Sequence, residues 1–186
     1  MKGRTPLILA SASAIRAEIL RSIGIECDII PAHINERKFA PLDAIGLAKE
    51  KAMFISQHYP NRWVIGADQI CHMNGQVFHK PGTVENATHT LSQLQGKTHT
   101  LLTAAALVIN TTCAWAGMDT VSLRMKPLSY SEIHNYIQTD TPLNSCGAYC
   151  YEKNGQALFT WVSHPKESSQ GLPLHQLVEA IKRHTK

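Results

Sequence analysis

Apolar positions along this chain recur in two periods, and the segments that carry them alternate. Leu7-Ile8-Leu9-Ala10 is a short apolar run; Ser11-Ala12-Ser13 follows, and Ile15, Ile19 and Ile23 then recur at helical spacing before Gly24. This predicts strand, turn, helix and stop. Residues 27–31 carry β-branched side chains and end at Pro31, predicting a second strand, and Ile45, Ala48, Ala52 and Ile55 mark one face of a helix from about Asp43 to Gln57. Residues 63–67 form a buried strand by composition. Asn74-Gly75, between residues 70–73 and 76–78, is a strong hairpin signal, so Asp68 is expected where a strand ends and a hairpin begins. A helix over residues 84–94, long β stretches over 98–109 and 114–124, a helix around 131–138 and a terminal helix around 174–184 complete the pattern. Parallel crossovers mixed with hairpins predict an α/β fold, and no internal repeat is present.

Composition narrows the class. With 186 residues and 44% hydrophobic content, the chain can bury one proper core, and a single domain over 1–186 is expected. The formal charge of +4 is not gathered into basic clusters interleaved with aromatics, which argues against a nucleic-acid polymer as partner and suits a small anion. Residues 101–109 are too short an apolar run for a membrane span of ~20 residues, and the run at 7–10 is too short for a signal peptide core of ~7–15. Five cysteines without a CxxC pair read as thiols of a cytoplasmic protein, and the ten histidines, His72, His79 and His99 among them, show no HxH or HExxH spacing.

Candidate chemistry begins at the first predicted helix. Ser13 is a plausible N-cap, which puts Arg16 in the first turn, where the positive end of the helix disfavours a cation unless an anion lies beside it. Serine hydroxyls, free amides and a guanidinium would then form a phosphate cradle without a glycine-rich loop; the plain alternative is an arginine on a helix surface. Asp68 reads equally well as a catalytic carboxylate above the sheet or as the cap of an Asx turn. Glu36 alone reads as an exposed loop residue, and Lys51 and Lys80 as solvated cations. Together, two carboxylates and two ammonium groups beside Arg16 point to a phosphate and metal site.

Residues 9–13 through Arg16, Leu47-Ala48-Lys49-Glu50-Lys51-Ala52, Ile65-Gly66-Ala67-Asp68, Lys80-Pro81, residues 94–99, Gly147-Ala148-Tyr149 and Gly171-Leu172-Pro173-Leu174 resemble, in order and spacing, the Maf nucleotide pyrophosphatases. The resemblance implies a fold like that of inosine triphosphate pyrophosphatases: a central mixed sheet flanked by helices, with a deep cleft, commonly in a homodimer. It implies cleavage of a nucleoside triphosphate between the α and β phosphates, giving monophosphate and pyrophosphate, with a divalent cation, Mg²⁺ or Mn²⁺. By position, Asp68 is the catalytic carboxylate, Glu36 its acidic partner at the metal, and Ser11, Ser13, Arg16, Lys51 and Lys80 the phosphate-facing set. Ile15 replaces an arginine common in the family, while Gln69 and Glu152 resemble the branch acting on 7-methyl-GTP. These three are the expected base-specificity positions. A nucleotide-binding regulator of septum formation, with Asn35, His79 and Ser145 departing from the family pattern, is the alternative function.

Overall fold

A computed structural model describes residues 7–185. Seven strands form a mixed sheet: β1 (Leu7–Ala10), β2 (Cys27–Ile29), β3 (Val64–Met73), β4 (Gln76–Phe78), β5 (Thr98–Ile109), β6 (Thr112–Met125) and β7 (Phe159–Val162), in the order β2-β1-β3-β5-β6-β7 with β4 paired to β3. Five helices accompany them: α1 (Ala14–Ser22), α2 (Ala44–Ser56), α3 (Val84–Leu94), α4 (Tyr130–Asp140) and α5 (Leu174–His184). The expected elements are present within two residues of their predicted ends, except that the strands expected over 63–67 and 70–73 are one continuous strand. No helix among the described residues is long and apolar enough to cross a membrane.

The chain sorts into two compact units, and its path visits each more than once. The first takes the residues up to Asp68, then Thr103–Asp119 and the stretch from Gly171 onward; the second takes Gln69–Leu102 and Thr120–Gln170. In the first unit β2, β1 and β3 run parallel, with Leu9 opposite both Ile29 and Ile65. Successive residues of a strand face opposite ways, and here each face has its own cover. Leu9, Ile65 and Ala67 pack with Ala17 and Leu20 of α1 and Leu177 and Ile181 of α5. Ile8, Ala10 and Val64 pack with Ala52 and Ile55 of α2. Burial on both faces is why β1 and the start of β3 read as continuous apolar runs rather than alternating ones, whereas β2 is exposed at Asp28 and Ile29.

The second unit is built on antiparallel pairing. Cys71 to Met73 pair with Phe78 to Gln76 across Asn74-Gly75, whose φ values of 52° and 82° fit the left-handed turn that this dipeptide favours. Strand β7 pairs with β6 through an irregularity at Arg124 and Met125. It escapes sequence reading because it is four residues long with two of them exposed, too little for a period to register. Helix α4 starts in a capping box between Ser129 and Glu132. The core gathers Leu91 and Leu94 of α3, Ile133 and Ile137 of α4, and Leu101, Leu123 and Met125 of the strands.

One expectation needs correction. Asp68 does not end a strand, because β3 runs unbroken from Val64 to Met73. What changes at Asp68 is the neighbour: parallel pairing with β1 ends at Ala10 opposite Gly66, and antiparallel pairing with β4 begins at Cys71. Gly-Ala-Asp suggests a turn in sequence, but the glycine serves helix packing, its Cα lying against the Ala48 carbonyl and Ala52 of α2.

Within the second unit, His99 is buried and its Nε2 shares a hydrogen bond of 2.9 Å with the Tyr149 hydroxyl. Burial, aided by the nearby His72, holds its pKa down to about 4. A buried histidine whose pKa is depressed leaves the unfolded chain holding more protons, so stability should fall as pH drops from the ordinary histidine value toward 4. Urea denaturation between pH 7 and pH 4 should show a loss on the order of 3 kcal/mol from this residue. In His99→Gln the pH slope in that window should shrink correspondingly; an unchanged slope would remove His99 as its source.

Candidate active site

Three local features bring charged side chains together in the first unit. The first is the pleat of β3. Val64 faces α2, so Gly66 and Asp68, two and four residues on, face it as well. The second is the absence of a side chain at Gly66: a Cβ there would overlap the Ala48 carbonyl oxygen and press on Ala52. Helix α2 therefore lies directly against the strand. The third is helical spacing. Lys51 follows Ala48 by three residues, close to one turn along the same helix. Asp43 fixes the start of α2 by accepting the Gly46 amide at 2.7 Å.

These features place the Lys51 ammonium against Asp68. Lys51 Nζ donates to Asp68 Oδ1 at 2.6 Å and lies 2.7 Å from Glu36 Oε1. Lys51 and Asp68 are largely enclosed, at 12% and 11% side-chain exposure, whereas Glu36 is 57% exposed on the short turn Glu36–Lys38. One cation thus joins an enclosed carboxylate to an open one. Each oxygen is a hard donor held within 2.7 Å of a single nitrogen. Two such carboxylates, completed by water and substrate phosphates, are a usual Mg²⁺ donor set. No cluster of three or more His, Cys, Asp or Glu able to hold a metal occurs among the described residues.

On the other face of β3, Arg16 projects from the first turn of α1. Its Nη1 donates to the Ser11 hydroxyl and to the Ala67 carbonyl, each at 3.0 Å, and its Nε donates to the Gly171 carbonyl at 2.8 Å. Gly171 has φ +101°, a conformation open to glycine, and a Cβ there would press on the guanidinium. Arg16 therefore ties α1 to the residue before Asp68 and to the segment entering α5. The oddly placed first-turn arginine is answered in part by protein carbonyls.

Ser13 occupies the N-cap of α1 in an extended conformation, yet its side chain makes no capping bond. Ser11 Oγ instead accepts from the Ser13 amide at 3.2 Å as well as from Arg16. With both acceptor positions used, the Ser11 hydroxyl proton is left to donate. Serine hydroxyl, first-turn amides and guanidinium lie together, and no acidic residue sits in that turn.

The remaining expected residues are divided between the two units. Ile15 is half-buried in the first turn of α1. Lys80, Gln69 and Glu152 belong to the second unit. Lys80 is exposed after β4 and Glu152 is half-buried. Gln69 is fixed: its amide nitrogen donates to the carbonyls of Ser168 and Ser169, each at 3.2 Å, and its oxygen accepts from the Cys146 thiol at 3.6 Å. Sequence reading assigned no role to Cys146 or to the backbone acceptors at Ala67 and Gly171. A carbonyl has no residue-type signature, so Gly171 within Gly-Leu-Pro-Leu was the sole available signal. The five cysteines are free thiols, as expected.

Comparison with known proteins places the chain in context. A family model described as Maf-like protein matches residues 6–184. A protein of Legionella pneumophila (strain Lens) called nucleoside triphosphate pyrophosphatase is 36% identical over 184 residues, covering 95% of this chain and 92% of that protein. One of the same name from Rhodopseudomonas palustris (strain HaA2) is 38% identical over 186 residues, with 95% and 92% covered. The solved HAM1 protein from Coxiella burnetii shares the fold at a TM-score of 0.52 and 13% identity, covering 96% of this chain and 98% of that one.

Two substitutions test the geometry. Gly66→Ala should push α2 off β3, costing ~1–3 kcal/mol and separating Lys51 from Asp68; thermal denaturation beside nucleotide binding should show both losses. Arg16→Lys keeps the charge but cannot reach three acceptors in different directions. Its stability in urea should fall by ~1–3 kcal/mol, and a variant as stable as the parent would show that the three bonds carry no net stabilisation.

Proposed function

We propose that this chain, which belongs to the Maf-like protein family, is a hydrolase that cleaves nucleoside triphosphates between the α and β phosphates, releasing monophosphate and pyrophosphate. The relatives' names support pyrophosphatase chemistry. The observation that carries the proposal is the enclosed Asp68 bridged by Lys51 to Glu36, in the same unit as the cradle of Ser11 and Arg16.

Asp68 and Glu36 would hold a divalent cation, Mg²⁺ or Mn²⁺, which when bound supplies Lewis-acid polarisation of a phosphate oxygen. The protein's own groups do the rest. Ser11 donates its remaining proton to a phosphate oxygen, and the first-turn amides of α1 and the Arg16 guanidinium stabilise the negative charge that grows on the leaving pyrophosphate. Asp68 orients the attacking water and accepts its proton; its Oδ2 carries no partner among the described residues, while Oδ1 is held by Lys51. Lys51 adds a mobile positive charge for the phosphates, and Lys80 is a further cation for them. Non-standard or modified nucleotides are the proposed substrates, with 7-methyl-GTP the first to try. Gln69, Glu152 and Ile15 are the positions through which base preference would be set; the carboxylate of Glu152 suits the positive charge of a 7-methylated guanine.

The test is a panel of ordinary, methylated and deaminated nucleoside triphosphates with Mg²⁺ or Mn²⁺, with pyrophosphate and orthophosphate measured separately. Pyrophosphate should appear in step with monophosphate. Asp68→Asn should lower kcat by ~10²–10⁴-fold. Orthophosphate as sole product would overturn the assigned bond. Binding without either product would favour a regulatory nucleotide-binding role.

A further inference from the structure

The most enclosed charged contact in the first unit joins three groups where two would satisfy charge. Lys51 could neutralise Asp68 alone, yet its ammonium also meets Glu36, whose open position on a short turn gives it ready access to water. Holding Glu36 there orders an exposed side chain for a contact worth little in itself. The arrangement becomes intelligible if Glu36 must be kept facing Asp68 while no metal is bound. Without a cation between them, two carboxylates so close would repel each other.

We infer that Lys51 is a tethered placeholder for the divalent cation: it positions Glu36 against Asp68 in the resting protein and competes with metal for the same carboxylate pair. This rests on the proposed metal-assisted reaction. The ammonium contacts Oδ1 of Asp68 and Oε1 of Glu36, oxygens of the pair that would ligate the metal. Even where a metal took the other oxygens, Lys51 would cut the charge of the pair from two negative to one and weaken attraction accordingly.

A consequence follows for the order of binding. A triphosphate offers Lys51 a stronger anionic partner, and as the ammonium turns to phosphate the carboxylates regain their full charge. Metal and nucleotide therefore bind with positive coupling, each tightening the other by the same factor. The resting protein holds metal weakly and gains its site when substrate arrives. Lys51 reaches the pair from α2, whose distance from β3 is fixed at Gly66. The helix need not move for the switch, because the lysine side chain has the rotamer freedom to make it.

The experiment measures Mn²⁺ alone, without nucleotide, by electron paramagnetic resonance of the free ion and by the Mn²⁺-dependent rise in melting temperature. Wild type should bind weakly. Lys51→Met and Lys51→Gln should each bind Mn²⁺ more tightly, on the order of tenfold or more, and show a melting temperature that climbs with Mn²⁺. Lys51→Arg, which keeps the charge, should stay close to wild type. Adding Asp68→Asn to Lys51→Met should abolish the gained site. The inference is overturned if neither neutral variant binds Mn²⁺ more tightly than wild type, or if the gain survives Asp68→Asn. Failure of the proposed reaction would be seen separately, in the products released by wild type with saturating metal.

Discussion

The carbonyl oxygen of Ala48 lies where a side chain at residue 66 would be, and most of the first unit follows from that contact. A helix backbone can approach a strand this closely only where the strand offers a glycine. The approach brings Ala52 and Ile55 onto Ile8, Ala10 and Val64. It also sets how far Lys51 must reach, so one missing methyl group fixes both the packing of this face and the ion pair with Asp68. The apolar contacts hold α2 in place, and the charged contact is a by-product of the position they enforce. This division of labour is physically sensible, because an enclosed ion pair seldom repays its own desolvation.

The opposite face of β3 is organised by a cation rather than by a gap. Arg16 directs its fork to Ser11, Ala67 and Gly171, which lie just after β1, in the middle of β3 and on the approach to α5. An ammonium, with its donors on a single nitrogen, could not span acceptors that the guanidinium meets from both Nε and Nη1. The two sides of the strand thus meet their polar needs differently, by one long lysine from α2 and by one planar guanidinium from α1. Both converge on residues 67 and 68, just past the point where β1 stops accompanying β3. Ligand sites of parallel sheets gather beyond such carboxyl ends, where the backbone is no longer enclosed by a neighbour.

Much of this was legible in the sequence, and the exceptions share a cause. Strands β1 and β3 were visible because burial on both faces leaves apolar runs, and α1 because Ile15, Ile19 and Ile23 repeat at helical spacing. Asp68, Glu36, Lys51, Ser11 and Arg16 could be named as chemistry, and the first unit brings them together. The continuation of β3 through Asp68 was hidden, since a polar Asp-Gln step after Gly-Ala looks like a strand's end when it is only an exchange of neighbours. The carbonyl partners of Arg16 and the clamp on Gln69 were hidden too. Both depend on backbone groups or on residues far along the chain, Gly171 and Ser168 among them, which no local pattern can pair.

The formal charges of the cluster explain why substrate and cation should be thought of together. Lys51 offsets part of the charge of Asp68 and Glu36, so the resting pair attracts a free cation less than two bare carboxylates would. On the proposed reaction, a nucleoside triphosphate brings about four negative charges, more than Arg16, Lys51 and Lys80 can offset while the first two also serve the protein. Some of that excess must be met by charge from outside, and the two carboxylates are where it can be held. A carboxylate pair partly masked at rest and a site deficient in positive charge once loaded together select for the metal–nucleotide pair over either component alone. Such selectivity needs no moving lid, only a lysine with two alternative partners.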